Sequence, residues 1–154
     1  MSDVTEIIEK QIKKYGKKRE TLMPVLQSIV EKKHYLTEDS MLEVAKNLEI
    51  SAAEVYGTAS FYSFLDIKER GEFVIRICKS ITCDMKGKNE IIKALENKLK
   101  IKFGETTPDK KFSLLLTNCI GWCDKSPAML INDEVYTELT PQKAVKIIQD
   151  YYKK

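Results

Sequence analysis

The chain has 154 residues, 43% of them hydrophobic and 32% charged, and a net charge of +3 from 26 basic and 23 acidic side chains. That length suits one domain or two small ones, and the composition excludes collagen-like and disordered chains. So small a net charge excludes a broad phosphate-binding surface, and no apolar run is long enough for a membrane-spanning helix.

The first half has helical periodicity. Val4, Ile7, Ile8, Ile12 and Tyr15 recur at helical spacing, with Gly16 as a stop signal. Pro24 fits the first turn of a second helix carrying Leu26, Ile29 and Val30. Thr37 is placed to cap a third helix bearing Met41, Leu42, Ala45 and Leu48. Ser51 and Glu54 have the spacing of a capping box, opening a fourth helix through Val55 and Ala59 that ends in the run Phe61 to Leu65. These elements predict a helical bundle over residues 1–69.

The second half changes period. Phe73, Ile75 and Ile77 alternate with Val74, Arg76 and Cys78, which predicts a strand. A helix follows from Asn89 to Lys100, with Ile91, Ile92, Leu95 and Leu99 on its apolar face. Phe112 to Thr117 is a second strand. Met129 to Ile131 and Val135 to Tyr136 flank Asn132-Asp133-Glu134 as a hairpin. Thr140-Pro141 opens a last helix through Ala144, Val145, Ile148 and Tyr151. The expected class is α+β, with residues 70–154 forming a unit of helices packed on a mixed sheet. Residues 1–70 carry 11 basic and 12 acidic side chains; the remaining residues carry 15 and 11. The join near Lys68 to Gly71 is short, so no long flexible linker is expected.

Four cysteines and one histidine bound the metal chemistry. The segment Met1 to Lys10 lacks a signal-peptide core, so the expected location is cytoplasmic, where thiols stay reduced or bind metal. Cys78 and Cys83 form a C-x4-C pair after the first strand; Cys119 and Cys123 form a C-x3-C pair after the second. If those strands are neighbours, four thiols meet at one sheet edge. Such a set suits zinc, an iron–sulfur cluster or two disulfides. Structural zinc prefers tighter knuckles, whereas a [2Fe–2S] cluster is larger and takes two thiolates per iron, one pair for each iron being the simplest assignment. Rieske ligation needs two histidines, and His34 is a lone surface candidate beside Lys32 and Lys33. Gly121, Ser80 and Thr82 lie inside the pairs, where backbone N–H groups and hydroxyls can bond to the sulfurs.

The arrangement resembles a known family, the thioredoxin-like [2Fe–2S] subunit of NADH dehydrogenases, with relatives in NAD-linked and electron-bifurcating hydrogenases and formate dehydrogenases. The resemblance rests on Leu22-Met23-Pro24-Val25-Leu26-Gln27, on Val55-Tyr56-Gly57-Thr58-Ala59-Ser60-Phe61-Tyr62-Ser63, on the four cysteines, and on Pro127, Met129 and Ile131-Asn132. It implies a thioredoxin-like domain with Cys78, Cys83, Cys119 and Cys123 as ligands of one [2Fe–2S] cluster, and a cis Pro127. It also implies one-electron transfer to or from a partner subunit that carries FMN and NAD(H), with the helical bundle docking on that partner and further iron–sulfur subunits beyond it. Trp122 and Asp124-Lys125 depart from the small or apolar residues the family often has there. Lys79 and Lys125, beside the ligands, are candidates to bias the cluster electrostatically, and Trp122 is expected to pack over the cluster loop. Phe61, Tyr62 and Phe64 suit either core packing or a partner contact.

Two other classes compete. The third and fourth predicted helices have a helix-turn-helix look, which with a metal site suggests a metal-sensing transcription regulator. Ser51 to Asp66 contains no Lys or Arg, however, and recognition helices bring basic or amide groups to DNA, so no nucleic-acid partner is expected. A structural zinc module is the other alternative. A free-standing NADH or flavin enzyme is excluded, because the closest glycines, Gly57 and Gly71, are 14 positions apart and allow no glycine-rich phosphate loop.

Overall fold

The computed structural model describes residues 3–153. The chain divides into two units, the first ending at Arg70 and the second beginning at Gly71.

The first unit is helical throughout. It comprises α1 (Asp3–Tyr15), a short 3-10 turn (Arg19–Thr21), α2 (Leu22–Lys33), α3 (Glu38–Leu48) and α4 (Ala52–Phe61). Each boundary has a local cause. Gly16, at φ +85°, ends α1 and donates its N–H to the Ile12 carbonyl at 2.7 Å. His34, half-buried at φ 69°, ends α2 by donating to Val30 O. Thr37 and Ser51 accept N–H groups from Ser40 (3.1 Å) and Glu54 (3.2 Å). The reciprocal half of the Ser51 capping box is absent from these bonds, because the Glu54 carboxylate pairs with Arg19 instead.

Ile8, Leu26, Ile29, Leu36, Val44 and Val55 are fully buried in the core of this unit. Burying each such side chain stabilises by about 1.5–3 kcal/mol. Leu42 is exposed, contrary to its predicted place on the α3 face: Met41, Val44, Ala45 and Leu48 already occupy the buried stripe. The aromatics Phe61, Tyr62 and Phe64 are exposed rather than in the core; Phe61 and Tyr62 meet edge to face at 4.9 Å.

The second unit contains β1 (Phe73–Cys78), α5 (Ile81–Met85), α6 (Lys88–Leu99), β2 (Phe112–Thr117), β3 (Met129–Ile131), β4 (Glu134–Tyr136) and α7 (Pro141–Tyr152). The sheet order is β2-β1-β3-β4. β1 and β2 run parallel, while the β1–β3 and β3–β4 pairs are antiparallel, so the sheet is mixed. Register sets Ile75 beside Leu114 and Ile131, which puts Ile77, Phe112 and Met129 on the same face. That face packs in one core with Ile91, Leu95 and Leu99 of α6 and Ala144, Ile148 and Tyr151 of α7. Burial in β1 is fuller than simple alternation predicts, since Val74 and Cys78 on the other face are also buried.

Three local devices fix this sheet. Asn132, at φ 51°, and Asp133 are the two residues between β3 and β4, one fewer than the predicted Asn132-Asp133-Glu134 turn. The Asn132 side chain accepts the Val74 N–H at 2.9 Å and donates to Glu72 O at 3.2 Å, tying the turn to β1. Thr140 caps α7 by accepting the Lys143 N–H at 3.1 Å. Gly71 lies against β2 so closely that a Cβ there would sit 2.8 Å from the backbone N and C of Phe112.

Candidate metal centre

The parallel pairing of β1 with β2 places Cys78 opposite Thr117, so both strands end at the same edge of the sheet. Ligand sites in open α/β sheets lie beyond such carboxyl ends. Cys78 is the last residue of β1 and is buried. Cys83, also buried, lies in the middle of α5. That single-turn helix was not predicted; the sequence there reads as a loop. Cys119 and Cys123 follow β2 in chain without regular structure, the first exposed and the second half-buried. All four are free thiols.

Hydrogen bonds draw the thiols together. Cys119 Sγ and Cys123 Sγ lie 3.2 Å apart, and Gly121, at φ +86°, turns its N–H onto Cys119 Sγ at 3.4 Å. Cys78 Sγ lies 3.2 Å from the Ser80 hydroxyl, and the nearby N–H groups of Ser80 and Ile120 favour its thiolate. Ile120 belongs to the second cysteine loop, so that loop approaches Cys78. Cys83 Sγ neighbours Cys78, and the nearby Ala128 N–H favours its thiolate. Ala128 follows Pro127, whose bond to Ser126 is cis, as the family resemblance implies. The Lys125–Glu138 and Pro127–Leu139 backbone bonds, at 2.7 and 3.1 Å, hold this turn in place.

The electrostatics divide the thiols. Burial works against the Cys78 thiolate, but the Ser80, Cys83 and Ile120 donors outweigh it and hold the Cys78 pKa below the usual thiol value. Burial pushes Cys83 up, and its proximity to Cys78 pushes in the same direction. Cys123 is raised first by its hydrogen bond to Cys119, then by burial and by the charge of the other thiols. The four sequence-predicted residues therefore lie as two interacting pairs, Cys78 with Cys83 and Cys119 with Cys123, in the segments that follow the two strands.

The donor set fits a two-iron cluster. A tetrahedral ion with metal–sulfur bonds of about 2.3 Å holds its sulfurs about 3.8 Å apart. The Cys119–Cys123 pair at 3.2 Å needs only a slight opening to meet that geometry. Among the described residues, no group of three or more His, Cys, Asp or Glu side chains converges to hold a single ion. The thiols come instead as two pairs.

A sequence profile of the thioredoxin-like [2Fe–2S] ferredoxins matches residues 8–152. This chain belongs to that family. A subunit of NADH-quinone oxidoreductase from Buchnera aphidicola subsp. Acyrthosiphon pisum is 38% identical over 144 residues, spanning 94% of this chain and 89% of the relative. Its counterpart from Escherichia coli, likewise a subunit of NADH-quinone oxidoreductase, is 36% identical over 146 residues, spanning 95% and 88%. A chain of an NAD+-reducing [NiFe]-hydrogenase has the same fold, with a TM-score of 0.73 at 22% identity; it covers 83% of this chain, which spans 22% of the hydrogenase chain.

The ferredoxin-family residues that sequence reasoning missed are the backbone donors. Ile120 and Ala128 bring N–H groups to sulfur without any side-chain signal. Only the positions beside cysteines or the cis proline pointed to them. Trp122, expected to pack over the cluster loop, is 41% exposed, with the Lys125 ammonium 5.7 Å from its ring centroid. Beside the buried Cys83, Ile81 and Met85 are 71% and 83% exposed. The cysteine loops thus carry an apolar surface.

Proposed function

We infer that this chain transfers single electrons through one [2Fe–2S] cluster ligated by Cys78, Cys83, Cys119 and Cys123, as the small iron–sulfur subunit of an NAD(H)-linked flavin oxidoreductase complex. The observation that carries the reading is the placing of four thiols, as two pairs, beyond the ends of adjacent parallel strands. When bound, the cluster supplies a site that gains and loses one electron with little change of geometry.

The chain's own residues do the remaining work. β1 and α5 hold Cys78 and Cys83 in rigid, buried positions, which limits reorganisation around that pair. The Gly121 N–H points at Cys119 Sγ, and the N–H groups of Ser80, Ile120 and Ala128 favour negative charge on Cys78 and Cys83. Lys79 and Lys125, adjacent to ligands, add positive charge near the site. No cysteine needs to exchange a proton once it is a ligand.

The partner reading has its own support. Ile81, Met85 and Trp122 surround the ligands with exposed apolar side chains, and Tyr56 and Phe61 expose aromatic surface in the first unit. Exposed apolar groups of this size mark protein contacts. The flavin and NAD(H) sites then belong to the docked subunit, and the helical unit of residues 1–69 helps to hold it. Among the described residues no helix is long and apolar enough to cross a membrane. Four free thiols suit a reducing compartment, and the location in this reading is the peripheral, cytoplasmic part of the complex.

Anaerobic purification tests the whole reading. The protein should contain about two irons and two sulfides per chain. Cys83→Ala should lose them. Copurification should bring down a flavoprotein that oxidises NADH. A colourless protein with one zinc ion overturns the cluster assignment, and a loaded protein that never associates with a flavoprotein overturns the partner assignment.

A further inference from the structure

Four helices begin at a serine or threonine of extended backbone: Thr37, Ser51, Ser80 and Thr140. Three use the hydroxyl as a cap, accepting an N–H from Ser40, Glu54 or Lys143 at 3.1, 3.2 and 3.1 Å. Ser80 has the same extended backbone, φ −63° and ψ 156°, yet its side chain makes no cap bond. Its Oγ lies instead 3.2 Å from Cys78 Sγ. The hydroxyl has been withdrawn from the helix and given to the sulfur.

We propose that Ser80 tunes the one-electron potential of the centre by donating its hydroxyl hydrogen to the Cys78 sulfur. The proposal rests on the reading of Cys78 as a cluster ligand. Between two neutral groups either partner can donate, but a ligating thiolate has no hydrogen, so only Ser80 can. Reduction takes one electron from the reductant and makes or breaks no bond, so the site gains one negative charge, shared in part by the cysteine sulfurs. A donor aimed at that sulfur therefore stabilises the reduced form more than the oxidised one. The N–H groups of Ser80 and Ile120 also favour charge on this sulfur, but they are backbone and survive any side-chain substitution. The hydroxyl contribution can therefore be isolated.

The test is a redox titration of the iron-loaded chain, with Ser80→Ala and Ser80→Thr beside the wild type, and Ser80→Val matched in shape to Ser80→Thr. Iron and sulfide contents are measured first. Ala and Val should lower the midpoint potential, shifting the one-electron equilibrium severalfold toward the oxidised form, where each tenfold corresponds to about 59 mV. Thr should keep the wild-type midpoint. Far-ultraviolet circular dichroism should not change, because no helix cap is removed. Loaded Ala and Val variants with the wild-type midpoint overturn the proposal. Loss of iron in Ala and Val, with Ser and Thr both loaded, also overturns it, by making the hydroxyl a requirement for assembly. A wild-type protein without a two-iron centre on the four cysteines fails the ligand assignment itself, and the metal analysis separates that result from the others.

Discussion

Replacing glycine by alanine at two positions should change stability in opposite directions. At Gly71 an added Cβ meets the Phe112 N and C atoms at 2.8 Å and Lys111 C at 2.9 Å, where ordinary contact begins at 3.4 Å. These are backbone atoms, so β2 itself must recede by about 0.6 Å, against packing that resists such insertions. The same shift stretches the 2.8 Å bond from Gly71 N–H to Ser113 Oγ and the 2.8 Å bond from Phe73 N–H to Lys111 O. Overpacking costs about 1–3 kcal/mol, and a weakened buried hydrogen bond adds about 1 kcal/mol. Gly71→Ala should thus destabilise the second unit by roughly 2–4 kcal/mol. Gly57, in α4, has nothing within 4 Å of an added Cβ and no left-handed backbone. Gly57→Ala should stabilise the first unit by about 0.5–1 kcal/mol through helix propensity alone. Urea unfolding of the cluster-free chain measures both. Fluorescence of Trp122, the single tryptophan, follows the second unit, and circular dichroism follows the helices. A Gly71→Ala midpoint equal to wild type, or a Gly57→Ala chain less stable than wild type, would refute the reasoning.

Alkylation of the cluster-free protein, read by mass spectrometry, should modify the exposed Cys119 first, then the half-buried Cys123, with the buried Cys78 and Cys83 last; equal rates at all four would contradict the arrangement. Leu95→Ala, at a fully buried position in α6, should destabilise by about 2–5 kcal/mol in the same urea experiment. Thr140→Ala removes the α7 cap and should cost about 1 kcal/mol, a loss absent if the Lys143 N–H finds another acceptor. Lys32 and Lys33 hold the Asp3 carboxyl at about 2, below its ordinary 3.8. Because the folded value is the lower one, this pair stabilises the fold fully above pH 3.8 and is lost as the pH falls toward about 2. A carboxyl carbon titration by nuclear magnetic resonance should show that midpoint; one near 3.8 would mean the lysines do not engage Asp3.

Much of this molecule is legible in the sequence because its boundaries have local causes. Gly16, Thr37, Ser51 and Thr140 each act on backbone groups within a few residues, and the helices they bound begin or end where expected. The cysteine pairs could be read as one site only through the pairing of β1 with β2, a long-range fact that apolar runs suggest and the register shows. What stayed hidden depends on partners distant in sequence or on segments too short to have a period. α5 is a single turn, Ile81–Met85, and shows no helical repeat. The Glu54 side chain follows Arg19, far along the chain, rather than its own cap. Backbone donors such as Ile120 leave no mark on a side-chain pattern at all.

The unequal settings of the two cysteine pairs give the site a front and a back. Cys78 and Cys83 are anchored in regular structure and shielded from solvent, while Cys119 and Cys123 sit on an exposed loop. Segments with few buried contacts open at much lower free energy than the sheet that carries them. In the cluster reading, metal would be delivered, or stripped by chelators and oxygen, by parting the loop alone, with no unfolding of the strands. A partner surface covering that loop would seal this low-energy route, making the lifetime of the cluster a property of the assembled complex rather than of the isolated chain.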